Sequence, residues 1–167
     1  MRRRFLVFGL AALTLVAVVV ACGSDDGDAE QTATEPPAAT NEPAVDEVRV
    51  RLFEWSVDPA VDSVTAGSVT FNADNIGALT HELVILRTDI GPDALPTLED
   101  GSADYAAEGI EVVAQFLDIG SARSKSGAVD MAPGSYVLIC NIVDDAEAGL
   151  QPHYELGMVE LFEVTSP

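Results

Sequence analysis

Histidine and cysteine are scarce in this chain, with two of each in 167 residues, and basic side chains number 8 against 28 acidic ones. Each shortage excludes something. A formal net charge of −20 lacks the basic footprint that nucleic-acid binding requires. Two cysteines cannot build a multi-disulfide framework or a cysteine-rich zinc site. Two histidines leave little room for a multinuclear metal centre. No serine–histidine–aspartate set with a histidine to spare is present, and no phosphate-binding glycine loop, so nothing points to an enzyme. Hydrophobic residues make up 48%. That share permits a packed core, although the N-terminus inflates it.

The basic residues that do exist are unevenly placed. Arg2, Arg3 and Arg4 open the chain and an uncharged apolar run follows from Phe5 to Ala21. It ends in Val19-Val20-Ala21-Cys22 before Gly23-Ser24-Asp25-Asp26. This resembles a bacterial lipobox. Residues 1–21 then read as a lipoprotein signal peptide, with Cys22 carrying a diacylglyceryl thioether after cleavage. Two or three acyl chains anchor stably, at about 0.8 kcal/mol per buried methylene. An uncleaved anchor or an ordinary secretory signal are the alternatives. All of them place the remainder outside the cytoplasmic membrane. Removing the signal leaves 28 acids and five bases (Arg49, Arg51, Arg87, Arg123, Lys125), a net −23. With Cys22 acylated, Cys140 is a lone thiol in an oxidising compartment.

Residues 22–46 are mostly Asp, Glu, Ala, Thr, Pro and Gly, with almost no large apolar side chain. Such a composition cannot bury enough surface to order itself, and it reads as an acidic, proline-stiffened tether. Period-two patterning starts at Val48, Val50 and Leu52. Asp58-Pro59 interrupts it. Further strands are expected over Ser68–Ala73, His81–Leu86, Ile110–Ile119, Ala128–Met131, Ser135–Cys140 and Gly157–Val164, with turns at Ala66-Gly67, Asn75-Ile76-Gly77 and Pro133-Gly134. The run after His81 is nearly continuous in apolar residues, which suits a central strand. One short helical insertion is expected within 93–109, around Ala103 to Glu108. Residues 47–167 therefore read as one all-β domain, an antiparallel sandwich or barrel.

The scarce residues fall at particular places in this pattern. His81 stands at the start of one buried strand and Cys140 at the end of another. In an antiparallel sandwich those positions can share one end. His153 follows in the next loop, and Met158 begins the last strand. Two imidazoles, a thiolate and a thioether are the ligand set of a mononuclear blue-copper site.

With those residues in view, the stretch from about Glu47 to Val164 resembles the cupredoxin family of plastocyanin-, azurin- and sulfocyanin-like blue copper proteins. The matching segments are Ala66-Gly67-Ser68-Val69-Thr70-Phe71, Asn75-Ile76-Gly77 leading to His81-Glu82-Leu83, Pro133 to Asn141, and His153-Tyr154-Glu155-Leu156-Gly157-Met158. The resemblance implies a Greek-key β-sandwich and one type 1 copper cycling between Cu(I) and Cu(II). It implies equatorial ligation by His81, Cys140 and His153 and axial ligation by Met158. Around them, Glu82 and Asn141 are candidates for the second layer, with the Glu82 backbone N–H donating to the Cys140 sulfur. The second histidine of the family often shows an imidazole edge at the surface as an electron exit, a role that His153 would take. Twelve residues separate Cys140 from His153, so the loop Val143 to Pro152 is enlarged.

The elements that build trinuclear, type 2 or binuclear copper centres are missing. The function expected is that of a membrane-tethered carrier of single electrons, a monomer whose redox partner presents a basic patch, such as a cytochrome or an oxidase. The alternative is a copper carrier or storage lipoprotein serving an oxidase or exporter. A third reading is an interaction module with no metal.

Overall fold

A computed structural model describes residues 46–144 and 151–167. The signal peptide with Cys22 and nearly all of the tether lie outside the described residues. The strands are β1 (Asp46–Phe53), β2 (Ser56–Pro59), β3 (Ser63–Thr65), β4 (Gly67–Asn75), β5 (His81–Arg87), β6 (Glu111–Ile119), β7 (Ser124–Met131), β8 (Gly134–Ile139), β9 (Val143–Asp144), β10 (Gln151–Pro152) and β11 (Val159–Thr165). The two large sheets have the orders β2-β1-β4-β7 and β3-β11-β8-β5-β6, and β9 and β10 form a separate two-stranded pair. The β-sandwich expected from the pattern is what the chain forms.

Period-two alternation decides which faces meet. Val48, Val50 and Leu52 of β1 and Val69, Phe71 and Ala73 of β4 are buried, and they pack with Leu83, Ile85, Leu138 and Phe162 of the facing sheet. Phe71 and Phe162 meet edge to face with ring centroids 5.8 Å apart. The unbroken apolar run of β5 has a different cause. Leu83 and Ile85 face this core, while Val84 and Leu86 join a second cluster with Leu95, Ala103, Val137, Ile139 and Tyr154. The segment between β5 and β6 thus covers the outer face of the central strands, and both faces of β5 are dry.

Several expectations need correction. The sheets are mixed, because β1 runs parallel to β4 and β3 parallel to β11. Asp58-Pro59 does not break the fold. It ends β2, which lies at a sheet edge where proline's missing N–H costs no ladder bond. Ala103 makes an isolated antiparallel bridge to Thr97 and residues 105–109 form turns and a bend rather than a helix, and the helical element between β5 and β6 is a 3-10 turn at Pro92–Ala94. The physical reason lies in the bonding of Ala103. Its N–H donates to Asn141 Oδ1 at 2.8 Å and its carbonyl accepts from Asn141 Nδ2 at 3.0 Å. A helix starting at Ala103 would need that carbonyl for its first backbone bond.

Candidate metal centre

β5 and β8 are antiparallel neighbours, with Val84 opposite Ile139. The start of β5 and the end of β8 therefore lie at the same end of the sandwich. His81 begins β5, and Cys140 directly follows β8. Chain geometry alone brings the imidazole and the thiol together.

A short connection supplies the rest. The His153 N–H donates to the Ile142 carbonyl at 2.8 Å, and the Met158 N–H donates to the His153 carbonyl at 3.0 Å. The Cys140 N–H donates to the Met158 carbonyl at 3.0 Å. Backbone bonds thus tie the three positions to one another before any side chain is considered. Gly157 adopts φ 108°, a left-handed value that favours glycine, and a Cβ there would lie 3.4 Å from the Trp55 carbonyl.

His81 Nδ1 and His153 Nδ1 lie 3.3 Å apart, and Cys140 Sγ is 3.9 Å from the first and 3.3 Å from the second. One donor atom from each residue falls within 4.8 Å of the others. His81, Cys140, His153 and Met158 are all 0% exposed. Three electron-pair donors facing one another in a dry site repel unless a proton or a cation sits among them. Soft sulfur and borderline nitrogen in this ratio fit copper.

Charge and burial act on each donor. Burial pushes the His81 pKa down, and so does the neighbouring His153, while Glu54 pulls the other way. The neutral ring keeps a lone pair available. Burial pushes the Cys140 thiol up to about 11, against the backbone N–H groups of Glu82 and Ile142. The Glu82 N–H donates to Cys140 Sγ at 3.3 Å, the bond expected from the sequence. It is free to do so because the β5–β8 ladder ends at Val84 opposite Ile139, before Glu82 and Cys140. Glu82 Oε1 accepts from the Asn141 N–H at 3.2 Å, and burial raises the pKa of that carboxyl. Asn141 itself reaches away from the sulfur to Ala103, so it steadies the cover over β5 and β8.

The expected surface edge on His153 is not found. The residue is buried because Trp55 and Asp144 cover it. The Trp55 ring meets it at 4.9 Å between centroids and 65° between planes, and Asp144 Oδ2 lies 3.0 Å from its Nε2. Trp55, 37% exposed, stands between this imidazole and solvent. Asp144 belongs to the enlarged loop, whose residues 145–150, including Asp145 and Glu147, lie outside the described residues.

Glu54 escaped the sequence reading altogether. It sits at the β1–β2 turn, and its Oε1 accepts from the N–H groups of Ala78 at 2.8 Å and Leu79 at 2.7 Å. Those bonds, the Leu79 one foremost, hold its pKa at about 2. The same oxygen lies 3.3 Å from His81 Nε2, off the line of a formed hydrogen bond, so the carboxylate faces that buried nitrogen. Gly77 permits the approach, since a Cβ there would come within 2.7 Å of the carboxylate. Asn75 fixes the same loop, with Nδ2 donating to the carbonyls of Leu79 at 2.7 Å and Ile119 at 2.6 Å. Nothing in the local sequence marks Glu54 or Trp55, because their shared turn between β1 and β2 is far along the chain from every donor, whereas Asp144 belongs to the enlarged acidic loop between Cys140 and His153.

Fold and site together define a β-sandwich with a buried His81-Cys140-His153 cluster at one end, a donor set that suits one type 1 copper ion, with the Met158 backbone bonded to both Cys140 and His153. No protein-family model and no curated protein matches the chain. Among solved structures it is similar to the dithionite-reduced auracyanin of Roseiflexus castenholzii, at 20% identity over 71% of this chain and 96% of that one, with a TM-score of 0.46. Auracyanin B is similar at 21% identity over 75% and 92%, with a TM-score of 0.48. Auracyanin A of Chloroflexus aurantiacus, described as a "blue" copper protein, is similar at 18% identity over 71% and 98%, with a TM-score of 0.45.

Proposed function

We propose that this chain is a blue copper protein that carries single electrons between redox partners outside the cytoplasmic membrane, held there by lipid on Cys22. One observation carries the reading: two imidazole Nδ1 atoms and one thiol sulfur converge in a dry site at the end of a stiff sandwich. When bound, copper supplies a one-electron couple. The protein supplies everything else. His81, Cys140 and His153 would hold the ion, with Met158 as the thioether donor. The sandwich keeps the donor positions alike in both oxidation states, and apolar packing around the sulfur excludes water. Each cycle takes one electron from a reduced donor and passes it to an oxidised acceptor, with Trp55 between His153 and solvent. No bond in a substrate is made or broken, so the role is that of a carrier rather than an enzyme.

Burial of all four donors favours this role over copper delivery. A delivery protein must hand its ion to an incoming ligand, and no donor here is open to one.

The test uses the full chain in detergent, stripped of metal and given Cu(II). An intense thiolate-to-copper band with a type 1 paramagnetic resonance signal is expected, and Cys140→Ser loses both. A colourless protein that retains Cu(I) alone supports delivery instead, and failure to hold stoichiometric copper overturns both readings. For the anchor, lipid labelling and membrane association should be lost in Cys22→Ser.

A further inference from the structure

Both histidines of the cluster share an arrangement that neither the donor set nor the fold requires. Each turns Nδ1 toward the Cys140 sulfur and Nε2 toward a carboxylate. For His81 that carboxylate is Glu54, at 3.3 Å, and for His153 it is Asp144, at 3.0 Å. The two acids come from separate elements, the β1–β2 turn and β9. Both reach the donor end of the sandwich, Glu54 from the other sheet and Asp144 from the strand that pairs with the residues just before His153.

We propose that Glu54 and Asp144 are positioning residues: they brace His81 and His153 from behind, present both Nδ1 lone pairs to the ion, and bias the site toward oxidised copper. The inference rests on the copper reading above.

The physical argument has three parts. A carboxylate behind an imidazole favours the tautomer with the proton on Nε2 and leaves Nδ1 free. It also raises the basicity of that ring, which strengthens binding to the more highly charged ion. Finally, two fixed negative charges stabilise Cu(II) more than Cu(I) by direct attraction, so the reduction potential falls. Glu54 suits the task because it is itself immobilised. The Ala78 and Leu79 N–H groups hold its Oε1, and Gly77 leaves room only for a bare backbone against it. Asp144 acts from the more exposed side, where its side chain is 42% exposed, so its share is more weakly felt through solvent screening.

The experiment compares the full chain with Glu54→Gln, Asp144→Asn and the double variant. Asp130→Asn controls for net charge alone, because Asp130 pairs with Ser68 at the far end of β4. The potential is titrated by following the thiolate-to-copper band. Loss of the Glu54 charge should cost about tenfold in preference for Cu(II) over Cu(I), an upward shift of about 59 mV for one electron. Asp144→Asn should shift it in the same direction by less, with the blue band retained in both. Potentials indistinguishable from that of Asp130→Asn would overturn the inference. A second readout needs no copper. In the metal-free protein, nitrogen resonance of the imidazoles should show the proton of His81 mainly on Nε2, and Glu54→Ala should erode that preference. A wild-type His81 protonated on Nδ1 would also overturn it. If the wild-type chain takes up no copper, the copper reading fails, and the tautomer measurement alone decides whether the carboxylates brace the rings.

Discussion

Cys140 keeps its proton in the metal-free protein, because burial lifts its pKa to about 11. The sign of the consequence follows directly. Between about pH 9 and 11 the unfolded chain has lost the thiol proton while the folded chain retains it, so folding stability declines as pH rises through that window. A shift of two units corresponds to about 2–3 kcal/mol. Denaturant titrations of the metal-free protein at pH 8.5 and 11 should show this decline, and Cys140→Ala should abolish that part of it. Copper uptake must displace the same proton, so apparent affinity for copper rises with pH. His81 acts at the other end of the scale. Its lowered pKa contributes stability that is present above about pH 6.5 and lost as acid protonates the ring. At this scale the sequence was informative about donors and silent about their surroundings. The scarcity of thiol and imidazole singled out His81, Cys140 and His153. Glu54 and Trp55 had no comparable mark, since acids are abundant in this chain and a single tryptophan in a turn is unremarkable by itself.

Among the elements, the segment between β5 and β6 shows how tertiary bonding overrides local preference. Ala103 to Glu108 carries alanines and a glutamate that suit a helix. Asn141, next to the thiol, instead takes both backbone groups of Ala103. Asn141→Ala would strand a partly buried donor and acceptor, at about 1–3 kcal/mol. Hydrogen exchange should speed up at the Ala103 and Leu98 amides while β1 and β4 keep their protection; unchanged exchange at Ala103 would count against this account. The strands themselves were easier to read, because alternation in β1 and β4 follows from one buried face. The mixed pairing was not legible. Alternation says which side chains point inward, but strand direction depends on which neighbour the chain crosses to, as β1 does when it lies beside β4.

The whole molecule is dominated by negative charge. A field of that sign steers cationic partners and slows anionic ones, and salt screens both effects. Reduction by a cationic complex such as hexaammineruthenium(II) should therefore slow as ionic strength rises. Oxidation by hexacyanoferrate(III) should accelerate. Rates independent of salt would show that the acids serve solubility alone. Copper should also stabilise the fold by mass action, by about 2.7 kcal/mol at a free concentration one hundred times the dissociation constant. Melting with and without copper measures this, and Cys140→Ser should remove the difference.

Composition and pattern alone determined the class of fold, the donors and their order along the chain, because these depend on residue type and on the two-residue period of a strand. Only the tertiary structure decided that His153 is covered by Trp55, that carboxylates stand behind both imidazoles, and that the sheets are mixed. Those features arise where segments distant in sequence meet, and local pattern carries no information about which segments will meet.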